Sequence, residues 1–144
     1  MEYSAPGRTG VRVSAVALGT ANFADPTPEP EARQILERAV DAGINLIDSG
    51  NSYADGEAER IIGRVLKGNG LRTQVLLTTK VFPPTGPGPN ERGNSRLHIM
   101  QACEDSLDRL QTDYIDFYFI HRFDPDTRHE ETLAALDNLV RSGK

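Results

Sequence analysis

Four times along this chain, a short apolar run gives way to a stretch whose apolar residues recur at helical spacing. The runs are Ser14 to Gly19, Ile44 to Ile47, Val75 to Val81 and Tyr114 to Ile120. They are nearly continuous rather than alternating, as strands buried on both faces are. Strands alternating with helices predict an α/β fold, built on a parallel sheet with right-handed crossovers. Ahead of them, Gly7-Arg8-Thr9-Gly10 between extended flanks predicts a short hairpin over residues 1–14. The four strand–helix units then fill residues 15–144.

Helix boundaries carry local signals. Thr27-Pro28 reads as an N-cap followed by proline at the first helical position, where its missing N–H costs nothing. Ile35, Leu36, Ala39 and Val40 share one stripe, and Gly43 ends that helix. Asp55-Gly56 turns the chain into a second helix with Ile61, Ile62, Val65 and Leu66 inward. A third runs from about Ser95 to Leu110. Thr127 and Glu130 match a capping box ahead of a last helix bearing Leu133, Leu136, Leu139 and Val140.

Two architectures use such units: an open doubly wound sheet and a (β/α)8 barrel. The first calls for a Gly-rich phosphate loop at a strand-to-helix turn. Gly68-Asn69-Gly70 and Gly86-Pro87-Gly88 both lack the third glycine and the required placement. The Pro- and Gly-rich stretch Pro83 to Gly93 reads as a mobile loop after the third strand.

Composition narrows the class. Sixteen basic against 21 acidic residues give a net charge of −5, which argues against nucleic acid, whose phosphates call for a basic face. No stretch approaches the roughly 18 apolar residues of a membrane span. No basic segment followed by an apolar run opens the chain, so a cytoplasmic location is the default expectation. The single cysteine, Cys103, excludes an internal disulfide, and no Cys/His cluster has metal-ligand spacing.

The polar residues at strand ends say more. Asp48, Lys80 and His121 each stand at or beside the C-terminal end of a different, consecutive strand, and Tyr53 follows on the loop after Asp48. Parallel α/β folds build their sites at that rim. A free phenol, with pKa about 10, is a poor acid near neutrality, and a neighbouring ammonium favours its phenolate. A carboxylate holds the ammonium, and an imidazole donates to a substrate oxygen. This set suits a reaction in which a carbonyl oxygen gains a proton. Singly, each residue also has a plain reading: Asp48 as a turn or cap, Tyr53 as a surface aromatic, Lys80 as a solvated strand end, His121 as a neutral strand closer.

With these residues in view, the chain resembles the aldo-keto reductase family over essentially its whole length. The resemblance rests on Gly7-Arg8-Thr9-Gly10, Leu18-Gly19-Thr20, Asp41-Ala42-Gly43-Ile44-Asn45-Leu46-Ile47-Asp48 with Tyr53, Glu59 and Gly63, and Thr79-Lys80-Val81. It continues through Ser106-Leu107-Asp108-Arg109-Leu110, Asp113-Tyr114-Ile115-Asp116, His121-Arg122 and Glu131-Thr132-Leu133. The resemblance implies a (β/α)8 barrel that reduces small-molecule aldehydes or ketones with NADPH. By it, Tyr53 is the general acid, Lys80 lowers the Tyr53 pKa, Asp48 partners Lys80, and His121 orients the carbonyl. The resemblance likewise implies that Gly19, Thr20 and Ala21, with Asp48, lie beside the nicotinamide. Ser49-Gly50 stands where the family usually has Thr-Ala, and Ala54 where a glycine usually follows the tyrosine.

A barrel of this type needs about 250 residues, whereas 144 residues hold four of its eight units. The expectation is therefore the N-terminal half of a reductase, with most of the adenosine and pyrophosphate grip in the other half. Two unpaired sheet edges would favour self-association. Alternatives are a half-barrel that homodimerises, a non-catalytic interaction or relic protein, and a Schiff-base aldolase using Lys80. Against the last, a carboxylate beside the lysine keeps it charged.

Overall fold

The structure is a computed structural model describing residues 1–144. A two-stranded antiparallel hairpin, β1 (Tyr3–Ser4) and β2 (Val13–Ser14), opens the chain. Four units follow: β3 (Ala17–Gly19) with α1 (Glu29–Asp41), and β4 (Leu46–Asp48) with α2 (Glu57–Gly68). β5 (Leu76–Val81) leads to α3 (Arg96–Leu110), and β6 (Phe117–Ile120) to α4 (His129–Arg141). The sheet is parallel throughout, in the order β3-β4-β5-β6. Spatial order therefore follows chain order. A doubly wound sheet reverses its winding at a switch point, and a barrel does not. The four units wind one way, as one arc of a barrel. No helix is long and apolar enough to cross a membrane.

The two faces of the sheet divide the labour. Ile47, Leu77, Thr79 and Val81 point toward the helices and are buried there, with Leu36, Ile61, Ile62, Leu66, Ile99, Leu110 and Leu139. Each large aliphatic side chain in that layer contributes about 1.5–3 kcal/mol. The period of two then sends Gly19, Asp48, Thr78, Lys80 and Phe119 to the opposite, inner face. That face is open, and Phe119 on it is 46% exposed. α2 reaches α3 closely because Gly63 has no side chain: a Cβ there would sit 2.5 Å from the Arg109 carbonyl oxygen.

Local starts differ from the expected ones where side chains found other partners. α1 begins at Glu29, after Pro28, and Thr27 does not cap it. The backbone of Thr27 is used instead in the preceding loop, bonding to Asn22 and Ala24. α4 begins at His129, with no capping box, because the Thr127 hydroxyl donates to Asp124 Oδ2 at 2.8 Å. The run Ser14 to Gly19 divides into β2 and β3. The Ser14 hydroxyl bonds the Val16 carbonyl, and its N–H bonds Asn45 Oδ1. Ser95 does cap α3, accepting from the His98 N–H. The segment from Pro83 to Gly93 is folded back on itself, with Glu91 bonded to Gly88 and Thr85 and Gly93 to Phe82.

Candidate active site

Asp48 ends β4 and Lys80 lies next to the end of β5, both on the inner face. His121 follows β6 directly, and its N–H bonds the Val81 carbonyl. Tyr53 opens a short 3-10 turn, Tyr53–Gly56, between β4 and α2. In that turn Ala54 (φ 47°) and Asp55 (φ 53°) are left-handed, and Gly56 (φ 84°) follows. Left-handed backbone costs an L-residue about 1–2 kcal/mol, so this turn is held by its surroundings. The tie is visible under Gly56, where a Cβ would lie 2.7 Å from Cδ of Arg109. Gly56→Ala is expected to lower stability by about 2 kcal/mol or more. Gly68→Ala is the control, since nothing lies within 4 Å of a Cβ there. Thermal unfolding of the two variants makes the comparison.

The Lys80 ammonium has three donors, and each meets an acceptor. Nζ lies 2.7 Å from Asp48 Oδ2, 2.6 Å from the Ser49 carbonyl and 3.1 Å from the Tyr53 Oη. The other Asp48 oxygen accepts from Thr78 Oγ1 at 2.7 Å. The carboxylate is thus pinned on both sides, and it pins the ammonium. Because Lys80 donates to Tyr53, the phenolic O–H remains free to donate elsewhere. The His121 ring packs edge-on to the Tyr53 ring, with centroids 6.1 Å apart.

Burial pushes the His121 imidazole below its ordinary value, and the Lys80 and Arg122 charges add to this. Its Nδ1 is buried without a partner. Burial also lowers His98 in α3, whose Nε2 is likewise buried and unpartnered. Both imidazoles are therefore neutral at neutral pH. On acidification the unfolded chain binds protons near 6.5 while the folded chain resists them. Stability present above that value is lost as pH falls through it. The urea midpoint is expected to drop between about pH 7.5 and about pH 5, and to drop less in His98→Leu.

Gly19, Thr20 and Ala21 follow one another at the end of β3, with Gly19 paired to Asp48. Gly19 and Ala21 are exposed, and nothing lies within 4 Å of a Cβ on Gly19. Bare backbone beside Asp48 suits a flat ring. Thr20 is different: it is buried, and both its N–H and its hydroxyl bond the Asp48 carbonyl at 3.0 Å. Its side chain holds β3 to β4. No group of three His, Cys, Asp or Glu side chains is placed to hold a metal ion.

One network was not anticipated from the residues. Glu59 in α2 is fully buried. Its Oε2 accepts from Arg109 Nε at 2.6 Å, and its Oε1 from Thr79 Oγ1 at 2.6 Å. The signal was a carboxylate on the same helical stripe as Ile62, Gly63 and Leu66, where a lone charge is not tolerated.

A model of the aldo/keto reductase family matches residues 15–144. The chain belongs to the aldo/keto reductase family. Its four units are therefore part of a (β/α)8 barrel, and the general chemistry of the family is oxidoreduction. This aldo/keto reductase chain is similar to "Uncharacterized oxidoreductase YrpG" of Bacillus subtilis (strain 168), at 43% identity over 153 residues, covering 100% of this chain and 47% of the relative. It is also similar to proteins named "Probable voltage-gated potassium channel subunit beta". The one from Arabidopsis thaliana is 37% identical over 99% of this chain and 44% of its own length. The one from Oryza sativa subsp. japonica is 39% identical over 99% and 44%. The chain spans a little under half the length of the curated relatives it matches.

Proposed function

We propose that this chain carries the acid–base apparatus of an NADPH-dependent reductase of small-molecule aldehydes or ketones. One observation carries the reading: Lys80 Nζ is 3.1 Å from Tyr53 Oη while it also holds Asp48 at 2.7 Å. NADPH, when bound, supplies a hydride to the carbonyl carbon. The residues here handle the oxygen. Neutral His121 has one N–H to offer the carbonyl oxygen, which orients and polarises it. Tyr53 donates its free proton to that oxygen as negative charge builds on it. The Lys80 ammonium stabilises the phenolate left behind. Asp48, fixed by Thr78, keeps the ammonium in place. Gly19, Ala21 and Asp48 are the residues suited to lie along the nicotinamide, and Thr20 supports them from behind.

Lys80 as an aldolase nucleophile is disfavoured by the same geometry, because all three of its protons are committed to acceptors. The inner face needs cover to exclude water from the chemistry. In the relatives, the matched region is less than half of the chain. The test of the reading is aldehyde-dependent oxidation of NADPH by the native gene product. Lys80→Met is expected to lower kcat by roughly 100-fold or more. A Lys80→Met variant with undiminished turnover contradicts the assignment.

A further inference from the structure

We propose that Glu59 and Arg109 are positioning residues that set the distance between Tyr53 and Lys80. The proposal rests on the reductase reading for its kinetic consequence, and on geometry alone for its structural one.

The acid and the cation come from separate elements. Lys80 is borne by β5, and Tyr53 by the turn leading into α2. Their 3.1 Å contact therefore depends on how α2 docks against β5. Glu59 spans that junction. It lies in the first turn of α2, just after the Tyr53 turn. One of its oxygens holds Thr79, the residue before Lys80 in β5, at 2.6 Å. Thr79 points to the helices and Lys80 to the inner face, so the bond grips the strand from behind the cation.

Arg109 completes the clamp from α3. Its Nε holds the second Glu59 oxygen at 2.6 Å, and its NH2 group donates to Ser106 Oγ at 3.2 Å. Its stem meanwhile fills the space beneath Gly56. One side chain thus touches both the carboxylate that grips β5 and the left-handed turn that presents Tyr53. Ala54 and Asp55 hold positive φ in that turn without the freedom of glycine, so it needs such a support. Neither Glu59 nor Arg109 bonds Asp48, Tyr53, Lys80 or His121. Their influence on the reaction passes through Thr79 and Gly56.

A buried ion pair replaced by apolar groups of similar volume often leaves stability unchanged or improved. That separates positioning from folding. In the double variant Glu59→Leu/Arg109→Met, folding is expected to persist, with the unfolding midpoint near that of the parent. The Lys80–Tyr53 contact is expected to open beyond hydrogen-bond distance in its crystal structure. In the native gene product kcat is expected to fall by roughly 10- to 100-fold with KM little changed, since an ångström of misplacement has that effect. Thr79→Val is the milder second variant, cutting only the bond to β5, and it is expected to shift the contact in the same direction with a smaller loss in kcat.

A double variant, or Thr79→Val, that keeps the 3.1 Å contact overturns the proposal. An unaltered kcat alongside an opened contact overturns its kinetic half. If the parent oxidises no NADPH with any aldehyde, the reductase reading fails, and the crystallographic distances still decide the clamp.

Discussion

Tyr53→Phe is expected to lower kcat for aldehyde reduction by roughly 100- to 10,000-fold, while KM changes little. The reason is that the substitution removes one atom. The Tyr53 ring stays beside His121, and Lys80 keeps Asp48 and the Ser49 carbonyl as acceptors. What is lost is the phenolic O–H, whose oxygen already accepts from Lys80 and whose proton is uncommitted. A positioned general acid is worth about that range, and its loss appears in the transition state rather than in binding. Asp48→Asn is expected to fall short of this. It leaves Tyr53 in place but removes the charge that fixes the ammonium. Steady-state kinetics on both variants checks the ranking, and equal activity of Tyr53→Phe and the parent would contradict it.

The second large effect is on stability. Glu59→Ala is expected to destabilise the fold by about 3–5 kcal/mol. Glu59 is fully buried, the Arg109 side chain is 14% exposed, and the substitution leaves that guanidinium without its partner and Thr79 without its acceptor. Arg64 and Glu29 make the instructive contrast. They lie 2.8 Å apart, each side chain 37% exposed. Glu29→Ala is expected to cost no more than about 1 kcal/mol. Geometry alone does not rank the two pairs, because their distances are similar; access to water does. Urea unfolding at neutral pH separates them. Since a domain of this size holds only about 5–15 kcal/mol, Glu59→Ala is expected to leave little reserve.

How much of this was readable beforehand depended on the range of the interaction. The strands and helices were, because their periodicities are set by burial across several residues at once. Asp48, Lys80 and His121 were readable too, since a polar residue closing an apolar strand has few places to point. Choosing the barrel over the doubly wound sheet needed either the family resemblance or the observed strand order. The helix starts were less readable. Thr27 and Thr127 have the right side chain for a cap, but one is drawn into a loop and the other to Asp124. A short side chain near several partners obeys the best placed of them, which spacing does not reveal. The left-handed pair Ala54 and Asp55 was only partly signalled, by the Asp55-Gly56 turn and by the glycine that the family usually has at the Ala54 position. Glycine would have announced it at both positions; here Arg109 packs beneath the Gly56 that follows. The bond from the Thr20 hydroxyl to the Asp48 carbonyl is likewise silent in the sequence, because it joins two strands 28 residues apart.

In the proposed reaction Asp48, Lys80 and Tyr53 act as one proton-donating unit for a carbonyl oxygen. The direct measurement is NADPH oxidation by the native gene product, with and without an aldehyde, compared with Tyr53→Phe under the same conditions. Oxidation is expected to require the aldehyde, to yield the alcohol in equal amount, and to fall by roughly 100-fold or more in Tyr53→Phe. Oxidation that proceeds without aldehyde, or that survives unchanged in Tyr53→Phe, would contradict it.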